Sequence, residues 1–183
     1  MTRLFVALDL PPAVAAGLAL LQPSSCAGLR LTRTADLHLT LHFIGEAGVA
    51  PMAQALQAVR APPFSLRLAG LGSFRARDGS HMLWAGVEPN AALLALHEAV
   101  GLALAGTGFQ PDARRYHPHI TLARCKPDLP ATVVSAFLAQ SAGLDWPELA
   151  VTGFALYSSI TDSAGAQYRR EQWFPLAGAA GKI

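Results

Sequence analysis

The stretch LHLTLHFIG at residues 37–45 alternates apolar and polar side chains and ends at a glycine, which is typical of a β-strand. A second stretch, HPHITLAR at residues 117–124, contains the same His-x-Thr-Leu signature. Because successive side chains of a strand point to opposite faces, the histidine and the threonine of each signature share one face. The two stretches therefore predict two strands that each present an imidazole and a hydroxyl opposite an apolar face.

The elements around these two strands follow one order in both halves of the chain: strand, helix, His-x-Thr strand, helix, strand. In the first half, the patterns predict strands at 3–10, 38–44 and 64–71, helices at 11–22 and 50–61, and a short strand within 29–33. In the second half, they predict strands at 81–88, 119–124, 148–159 and 166–176, and helices at 91–105 (capped by Asn90) and 130–141.

The two motif histidines, His38 and His119, lie 81 residues apart, and the flanking elements have a similar offset. A shared offset across five elements predicts a single domain, 1–183, made of two related halves at approximately 1–72 and 80–176. Related lobes are expected to meet at a cleft, and clefts between lobes are common ligand sites.

Composition favours one folded protein with a sizeable core. Hydrophobic residues make up 52% of the 183-residue chain and charged residues 14%, so disorder is not expected. The formal net charge of +2 argues against wrapping of long duplex nucleic acid but allows a local phosphate site. Twelve of the fourteen basic residues are arginines, which suit bidentate phosphate contacts, although a compositional bias of the source genome is the simpler explanation.

The sequence predicts neither a membrane span nor a cysteine scaffold. The N-terminal stretch MTRLFVALDLPPAV is interrupted by Asp9, Pro11 and Pro12, as a first strand and turn would be, and does not resemble a signal peptide. Cys26 and Cys125 form no CxxC pattern, which argues against a zinc ribbon or a disulfide framework. We expect a monomer in the cytoplasm, with no bound metal and no other cofactor.

Two imidazoles and two hydroxyls that face one cleft suit metal-free phosphodiester chemistry. A neutral imidazole takes a proton from an attacking water while a protonated one donates to the leaving oxygen, provided that their surroundings separate their protonation states. The hydroxyls of Thr40 and Thr121 can donate hydrogen bonds to the non-bridging oxygens of a phosphate. A single strand histidine is more often structural, but the matched pair favours catalysis by His38 and His119.

Together the motifs resemble the two-histidine phosphoesterase superfamily, which is marked by a pair of His-x-Thr-x motifs. Within it, the chain is similar to the bacterial RNA 2′,3′-cyclic phosphodiesterases, also called 2′-5′ RNA ligase-like proteins. The resemblance covers nearly the whole chain, through RLFVALDLP, LHLTLHFIGE, LWAGVE, HPHITLAR, FALYSS and YRREQWFPL. It implies an α+β fold of two pseudo-symmetric lobes, each an antiparallel sheet with helices on the outside, around a V-shaped central cleft.

The resemblance also implies an activity, namely the opening of a 2′,3′-cyclic phosphate at an RNA end, or in a small cyclic nucleotide, to a 2′-phosphomonoester. By that analogy, His38 protonates the departing 3′ oxygen and His119 activates the water. Thr40 and Thr121 match the phosphate-binding threonines.

Arg124 and His117 are further candidates for substrate binding. Arg124 matches a recurrent family arginine, but strict alternation turns it away from the site unless the strand ends or twists near Ala123. His117 is expected on the face of His119, where it is suited to orient the substrate or to support its neighbour.

Four other aromatic or histidine residues are expected to have ordinary roles. Strict alternation places His42 on the face of His38, facing solvent or supporting the site. Tyr116 and Trp84 are expected to pack rather than to stack on a base. His97 is expected to lack a particular partner.

Three alternatives remain open from the sequence. The same site could run in reverse as a ligase of 2′-5′ RNA junctions, or it could bind nucleotide or RNA without turnover. A metallohydrolase would use His38, His42, His117 and His119, although no HExxH pattern or acidic ligand accompanies them.

Overall fold

The computed structural model describes residues 2–142, 146, 148–162 and 165–177. The strands are β1 (Thr2–Asp9), β2 (Leu29–Leu31), β3 (His38–Ala47), β4 (Phe64–Arg75), β5 (His81–Val87), β6 (His119–Cys125), β7 (Glu148–Val151), β8 (Gly153–Asp162) and β9 (Gly165–Pro175). The helices are α1 (Pro12–Leu20), α2 (Val49–Leu56), α3 (Ala91–Ala105) and α4 (Ala131–Ala139), and a short 3₁₀ helix spans Thr34–Asp36.

The strands form a nine-stranded sheet in the order β7-β4-β5-β6-β3-β1-β8-β9, with β2 paired to β6 beside this path. Every pair of neighbouring strands is antiparallel. The antiparallel sheet and its helices confirm the expected α+β class. The two motif strands, β3 and β6, lie next to each other at the centre of the sheet.

The strands of the two predicted halves are interleaved. β4, from the first half, pairs with β5, the first strand of the second half. In the same way β8, from the second half, pairs with β1, the first strand of the chain. The sheet is therefore built from both halves on each side of its centre, while the duplication itself stays a prediction.

One predicted strand is divided in the structure. The segment 148–159 was expected as a single strand, but Thr152 separates β7, which pairs with β4, from β8, which pairs with β1 and β9. At the start of β8, a Cβ on Gly153 would lie 2.4 Å from the Trp173 ring, so the chain changes neighbours at a residue without a side chain. The large buried side chains are at odd positions in β7 (Leu149 and Val151) and at even positions in β8 (Phe154 and Leu156), so the alternation changes phase at this break.

The core is formed by the apolar face of the sheet and the helices packed on it. Leu39 and Leu41 of β3 and Ile120 and Leu122 of β6 are buried in this core. α3 follows its predicted bounds, and the Asn90 side chain accepts a hydrogen bond of 2.9 Å from the Leu93 amide, which confirms the predicted N-cap. The opposite face of β3 and β6 is left for the site.

Candidate active site

The two His-x-Thr motifs lie around one pair of core residues. β3 and β6 pair through Leu39 opposite Ile120, and both side chains are almost completely buried. Residues on either side of such a pair point to the opposite face of the sheet. His38, Thr40, His119 and Thr121 therefore face the same side, with each histidine beside the threonine of the other motif in the antiparallel register.

This face opens into a cleft of about 580 Å³. Four of the six residues predicted for the site line the cleft: His38, Thr40, Thr121 and Arg124. His119 and His117 are not among its lining residues and lie beside it. His119 is partly exposed, and its ring centroid is 5.1 Å from that of Phe74 and 6.3 Å from that of Trp84.

The two motif histidines make the same backbone contact. Nδ1 of His38 lies 2.7 Å from the carbonyl oxygen of Asp36, and Nδ1 of His119 lies 2.7 Å from that of His117. Because a carbonyl oxygen only accepts, each Nδ1 carries the proton and donates it. In each neutral ring, Nε2 is then an unprotonated base, and after protonation it is an acid.

Burial lowers the pKa of His38 below its ordinary value of 6.5. The hydrogen bond to the Asp36 carbonyl and the carboxylates of Asp36 and Asp9 oppose this effect and raise the pKa. A smaller lowering effect comes from the charge of His119, so the two imidazoles sense each other electrostatically.

The charged groups near His119 are cationic, whereas those of Asp36 and Asp9 near His38 are anionic. Burial is again the largest cause that lowers the pKa of His119, and the bond to the His117 carbonyl raises it. The nearby charges of His117 and Arg124 lower it further. His38 thus has carboxylates as neighbours, whereas His119 has cationic ones, and this difference favours proton retention on His38.

A β-bulge changes the face of the residues that follow Thr40. In the pairing with β1, Ala7 is opposite Thr40 and Val6 is opposite His42, which leaves Leu41 as an extra residue. Leu41 and His42 are consequently both buried, and the prediction that His42 shares the face of His38 is wrong. The residue that reaches the site face is Phe43, which is 69% exposed and lines the cleft.

A bulge occurs at the equivalent position of β6. Trp84 is opposite Thr121 and Leu83 is opposite Ala123, so that Leu122 is the extra residue. The carbonyl oxygen of Leu122 accepts hydrogen bonds from the Thr32 amide (2.9 Å) and from the Gln22 side chain (2.8 Å).

The consequence of the β6 bulge is that Leu122 and Ala123 are both buried and Arg124 is exposed on the cleft side. A contact of Arg124 with substrate requires the strand to change its course near Ala123. The bulge at Leu122 provides this change. Phe43 lies five residues after His38, and Arg124 lies five residues after His119. The two motifs therefore place an aromatic and a cationic side chain at matching positions.

Behind the sheet, His42 belongs to a column of rings. Its Nε2 is 2.8 Å from the carbonyl oxygen of His97, and its ring stacks on that of His97 with centroids 4.0 Å apart. On its other side His97 stacks on Tyr116 at 3.9 Å, so the expectation that His97 lacks a partner is wrong. Tyr116 packs as predicted, and its hydroxyl donates a 2.9 Å hydrogen bond to the Thr40 carbonyl, which ties the segment before His119 to the first motif.

Aromatic rings also surround His38 in the cleft. The Phe5 centroid lies 4.8 Å from that of His38, and the Tyr168 ring meets His38 edge-on at 5.3 Å. The hydroxyl of Tyr157, whose ring stacks on Phe5, donates to Asp9. These rings cover part of His38, which stays partly exposed and lines the cleft.

The four-histidine set of a metallohydrolase is not assembled, because His42 lies on the core side of β3 and His38 on the cleft side. Within the described ranges, no group of three or more His, Cys, Asp or Glu side chains is placed to hold a metal ion. None of the helices described is long and apolar enough to cross a membrane.

Comparisons with known proteins agree with this geometry. The model of the 2′-5′ RNA ligase superfamily matches residues 10–162. An RNA 2′,3′-cyclic phosphodiesterase of Escherichia coli K12 is 32% identical over 165 residues, which cover 86% of each chain. One of Geobacillus stearothermophilus is 45% identical over 94 residues, which cover 49% of this chain and 30% of that protein. The crystal structure of E. coli LigT complexed with 3′-AMP has a TM-score of 0.74 at 27% identity, and the match covers 96% of this chain and 98% of that chain.

Proposed function

Because the chain belongs to the 2′-5′ RNA ligase superfamily, we propose that it hydrolyses 2′,3′-cyclic phosphate ends of RNA to 2′-phosphomonoesters by acid–base catalysis with His38 and His119. The observation that carries the proposal is the single Leu39–Ile120 pair, which sets both histidines and both threonines on one face. The curated relatives are named for this activity, and the E. coli structure holds a nucleotide with a 3′-phosphate.

In the proposed step, Nε2 of neutral His119 accepts a proton from a water molecule that attacks the phosphorus atom. The bond from phosphorus to O3′ breaks, and protonated His38 donates its Nε2 proton to O3′. The products are a 2′-phosphomonoester and a 3′-hydroxyl, with His119 protonated and His38 neutral. Exchange of protons with solvent restores the starting state.

The assignment of the acid to His38 rests on the charges around each ring. Asp36 and Asp9 favour the protonated form of His38, whereas His117 and Arg124 favour the neutral form of His119. A bound cyclic phosphate adds a negative charge between the rings, which stabilises the imidazolium form of both, so the difference between them still comes from these neighbours.

Thr40 and Thr121 are proposed to hold the phosphate. Both line the cleft, and the Thr121 hydroxyl donates to the sulfur of Met82 at 3.2 Å. A thioether is a weak acceptor, so a phosphate oxygen would readily replace it. Hydroxyls placed in this way stabilise the charge that develops on the non-bridging oxygens.

A second function, the joining of 2′-5′ RNA ends, would use the same groups in the reverse direction. The superfamily is named for this ligation. Opening of a strained cyclic phosphate by abundant water nevertheless favours hydrolysis. Nucleotide binding without turnover is the third possibility, and retained binding with no product would indicate it.

The test is incubation of the protein with an oligonucleotide that ends in a 2′,3′-cyclic phosphate, in the presence of EDTA. We expect a 2′-phosphomonoester product, and we expect His119→Ala to lower the rate by about 10²–10⁴-fold. His81→Ala, a histidine of β5 outside the cleft lining, serves as the matched control. Absence of the product, or equal rates for the His119→Ala variant and the parent, would refute the proposal.

A further inference from the structure

An exposed segment leads into the second motif and is anchored by aromatic rings at both of its ends. Residues 110–118 form no helix or strand, and the first six of them are exposed. Before them, the buried ring of Phe109 meets His42 edge-on, with centroids 5.5 Å apart. Near their end, Tyr116 is half-buried and stacks on His97 at 3.9 Å. The column of rings behind the sheet therefore fixes the point at which the chain enters β6.

The hydroxyl of Tyr116 links this segment to the first motif. It donates a hydrogen bond of 2.9 Å to the carbonyl oxygen of Thr40, which lies 76 residues earlier in the chain. Burial raises the pKa of Tyr116 above its ordinary value of 10, so the hydroxyl keeps the proton that it donates. The ladder between the two motif strands contains a single residue pair, Leu39 and Ile120. The hydroxyl therefore supplies a second link between the motifs.

The two sides of this link are anchored unequally. β3 pairs with β1 over the whole length of β1, with Ala7 opposite Thr40, so the carbonyl lies in a strand that the sheet already holds. β6 pairs with β5 only from His119 onward, and residues 110–118 precede this ladder. Loss of the hydrogen bond would therefore loosen the segment around Tyr116 and leave β3 in place.

The ring of His119 depends on this segment. Its Nδ1 donates at 2.7 Å to the carbonyl of His117, the residue next to Tyr116. Because consecutive Cα atoms are only about 3.8 Å apart, a shift of Tyr116 is passed on to that carbonyl. The carbonyl that holds His38 belongs instead to Asp36 of the 3₁₀ helix. Tyr116 is therefore placed to act on one of the two motif histidines.

We propose that Tyr116 is a positioning residue of the reaction: its bond to Thr40 holds the His117 carbonyl, and through it the ring of His119, in register with the phosphate bound by the first motif. This inference rests on the proposed function and adds a residue that touches neither the substrate nor the reacting atoms. Proton transfer requires Nε2 of His119 within hydrogen-bond reach of the attacking water, and a displacement of about 1 Å costs up to about 10²-fold in rate.

The test is Tyr116→Phe, which keeps the ring and its stack on His97 but removes the hydroxyl. We expect kcat for an oligonucleotide 2′,3′-cyclic phosphate to fall about ten-fold. We expect KM to stay close to that of the parent, because Thr40 and Thr121 still bind the phosphate.

Thr107→Val is the matched control. The Thr107 hydroxyl donates at 2.7 Å to the carbonyl of Leu104 at the end of α3, and it lies outside the cleft lining. The control also removes a half-buried hydroxyl that bonds to a backbone carbonyl, so its melting temperature is expected to fall by a similar amount. Its kcat is expected to equal that of the parent, and a fall as large as that of Tyr116→Phe would overturn the positioning role.

A double variant asks whether Tyr116 acts through His119. In the His119→Ala background, Tyr116→Phe is expected to slow the reaction no further, because the ring that it positions is gone. Slowing by the same factor in both backgrounds would overturn the proposal.

A second readout needs no turnover, so it tests the inference even if the cyclic phosphate is not hydrolysed. NMR of protein labelled with ¹⁵N-histidine reports which ring nitrogen carries the proton, at a pH where both motif rings are neutral. In Tyr116→Phe we expect the Nε2-protonated tautomer of His119 to gain population, whereas His38 stays protonated at Nδ1. Parent values of kcat together with an unchanged His119 tautomer would overturn the proposal.

Discussion

His38 and His119 are held by identical backbone contacts, each with Nδ1 at 2.7 Å from the carbonyl oxygen two residues earlier. The contacts give both rings the same tautomer, so tautomer alone does not assign acid and base. The difference comes from charge, because carboxylates lie near His38 and cations near His119. The pH dependence of the reaction and the charged neighbours of each ring therefore distinguish the acid from the base.

Asp36→Asn is expected to shift the alkaline limb of the kcat/KM profile to lower pH. The Asp36 carboxylate raises the pKa of His38, so its removal lowers that pKa and reduces the protonated fraction at any pH above it. Since burial already holds the pKa of both rings below 6.5, the parent profile is expected to peak on the acid side of pH 6.5. Asp78→Asn, in an exposed turn, is the control, and an unchanged or alkaline-shifted limb for Asp36→Asn would contradict the assignment.

Phe43→Ala is expected to raise the KM for nucleotide substrates by about ten-fold while leaving the melting temperature nearly unchanged. The side chain lines the cleft but is 69% exposed, so it contributes little to the core and is available to stack on a base. Base stacking on an aromatic side chain contributes about 1–3 kcal/mol. Leu102→Ala, equally exposed on α3, controls for loss of an exposed apolar group, and an unaltered KM in Phe43→Ala would exclude stacking.

The stability of the protein is expected to fall as the pH drops from 6.5 towards 4. Burial lowers the pKa of His97 to about 4 and also lowers that of His42, so the folded state holds both rings neutral. The unfolded chain, with ordinary values near 6.5, binds these protons more readily, and acid therefore favours unfolding. The stabilisation is complete above pH 6.5 and is lost progressively below it.

His97→Phe keeps a ring in the column but removes one titrating group, so its melting temperature is expected to depend less on pH between 4.5 and 7.5. His81→Phe leaves the column intact and is expected to keep the parent's dependence. A dependence in His97→Phe as steep as that of the parent would show that other groups cause the acid sensitivity.

The sequence predicts most of the elements and both motifs, because hydrophobic periodicity records which face of each strand is buried. It does not predict the bulges at Leu41 and Leu122, since an extra residue leaves the order of residue types unchanged while it reverses the faces that follow. His42, Phe43 and Arg124 therefore could not be placed. The adjacent apolar pair Leu122–Ala123 before a charged residue is a weak signal of the second bulge.

Local sequence patterns also do not predict which strands pair when the strands are far apart in the sequence. β4 of the first half pairs with β5 of the second half, and β8 of the second half pairs with β1 of the first half; the β1–β8 pair joins residues about 150 positions apart in sequence. The hydrogen bond from Tyr116 to the Thr40 carbonyl likewise joins residues 76 positions apart. These relationships could be seen only in the fold.

The measurement that tests the central claim most directly uses a cyclic phosphate in which sulfur replaces the bridging 3′ oxygen. A thiolate is a far better leaving group than an alkoxide and does not need a proton from the protein. We predict that His38→Ala hydrolyses this analogue at nearly the parent rate, although it is slowed about 10²–10⁴-fold on the oxygen substrate, while His119→Ala stays slow on both. Rescue of His119→Ala but not of His38→Ala, or rescue of neither, would contradict the division of acid and base between the two rings.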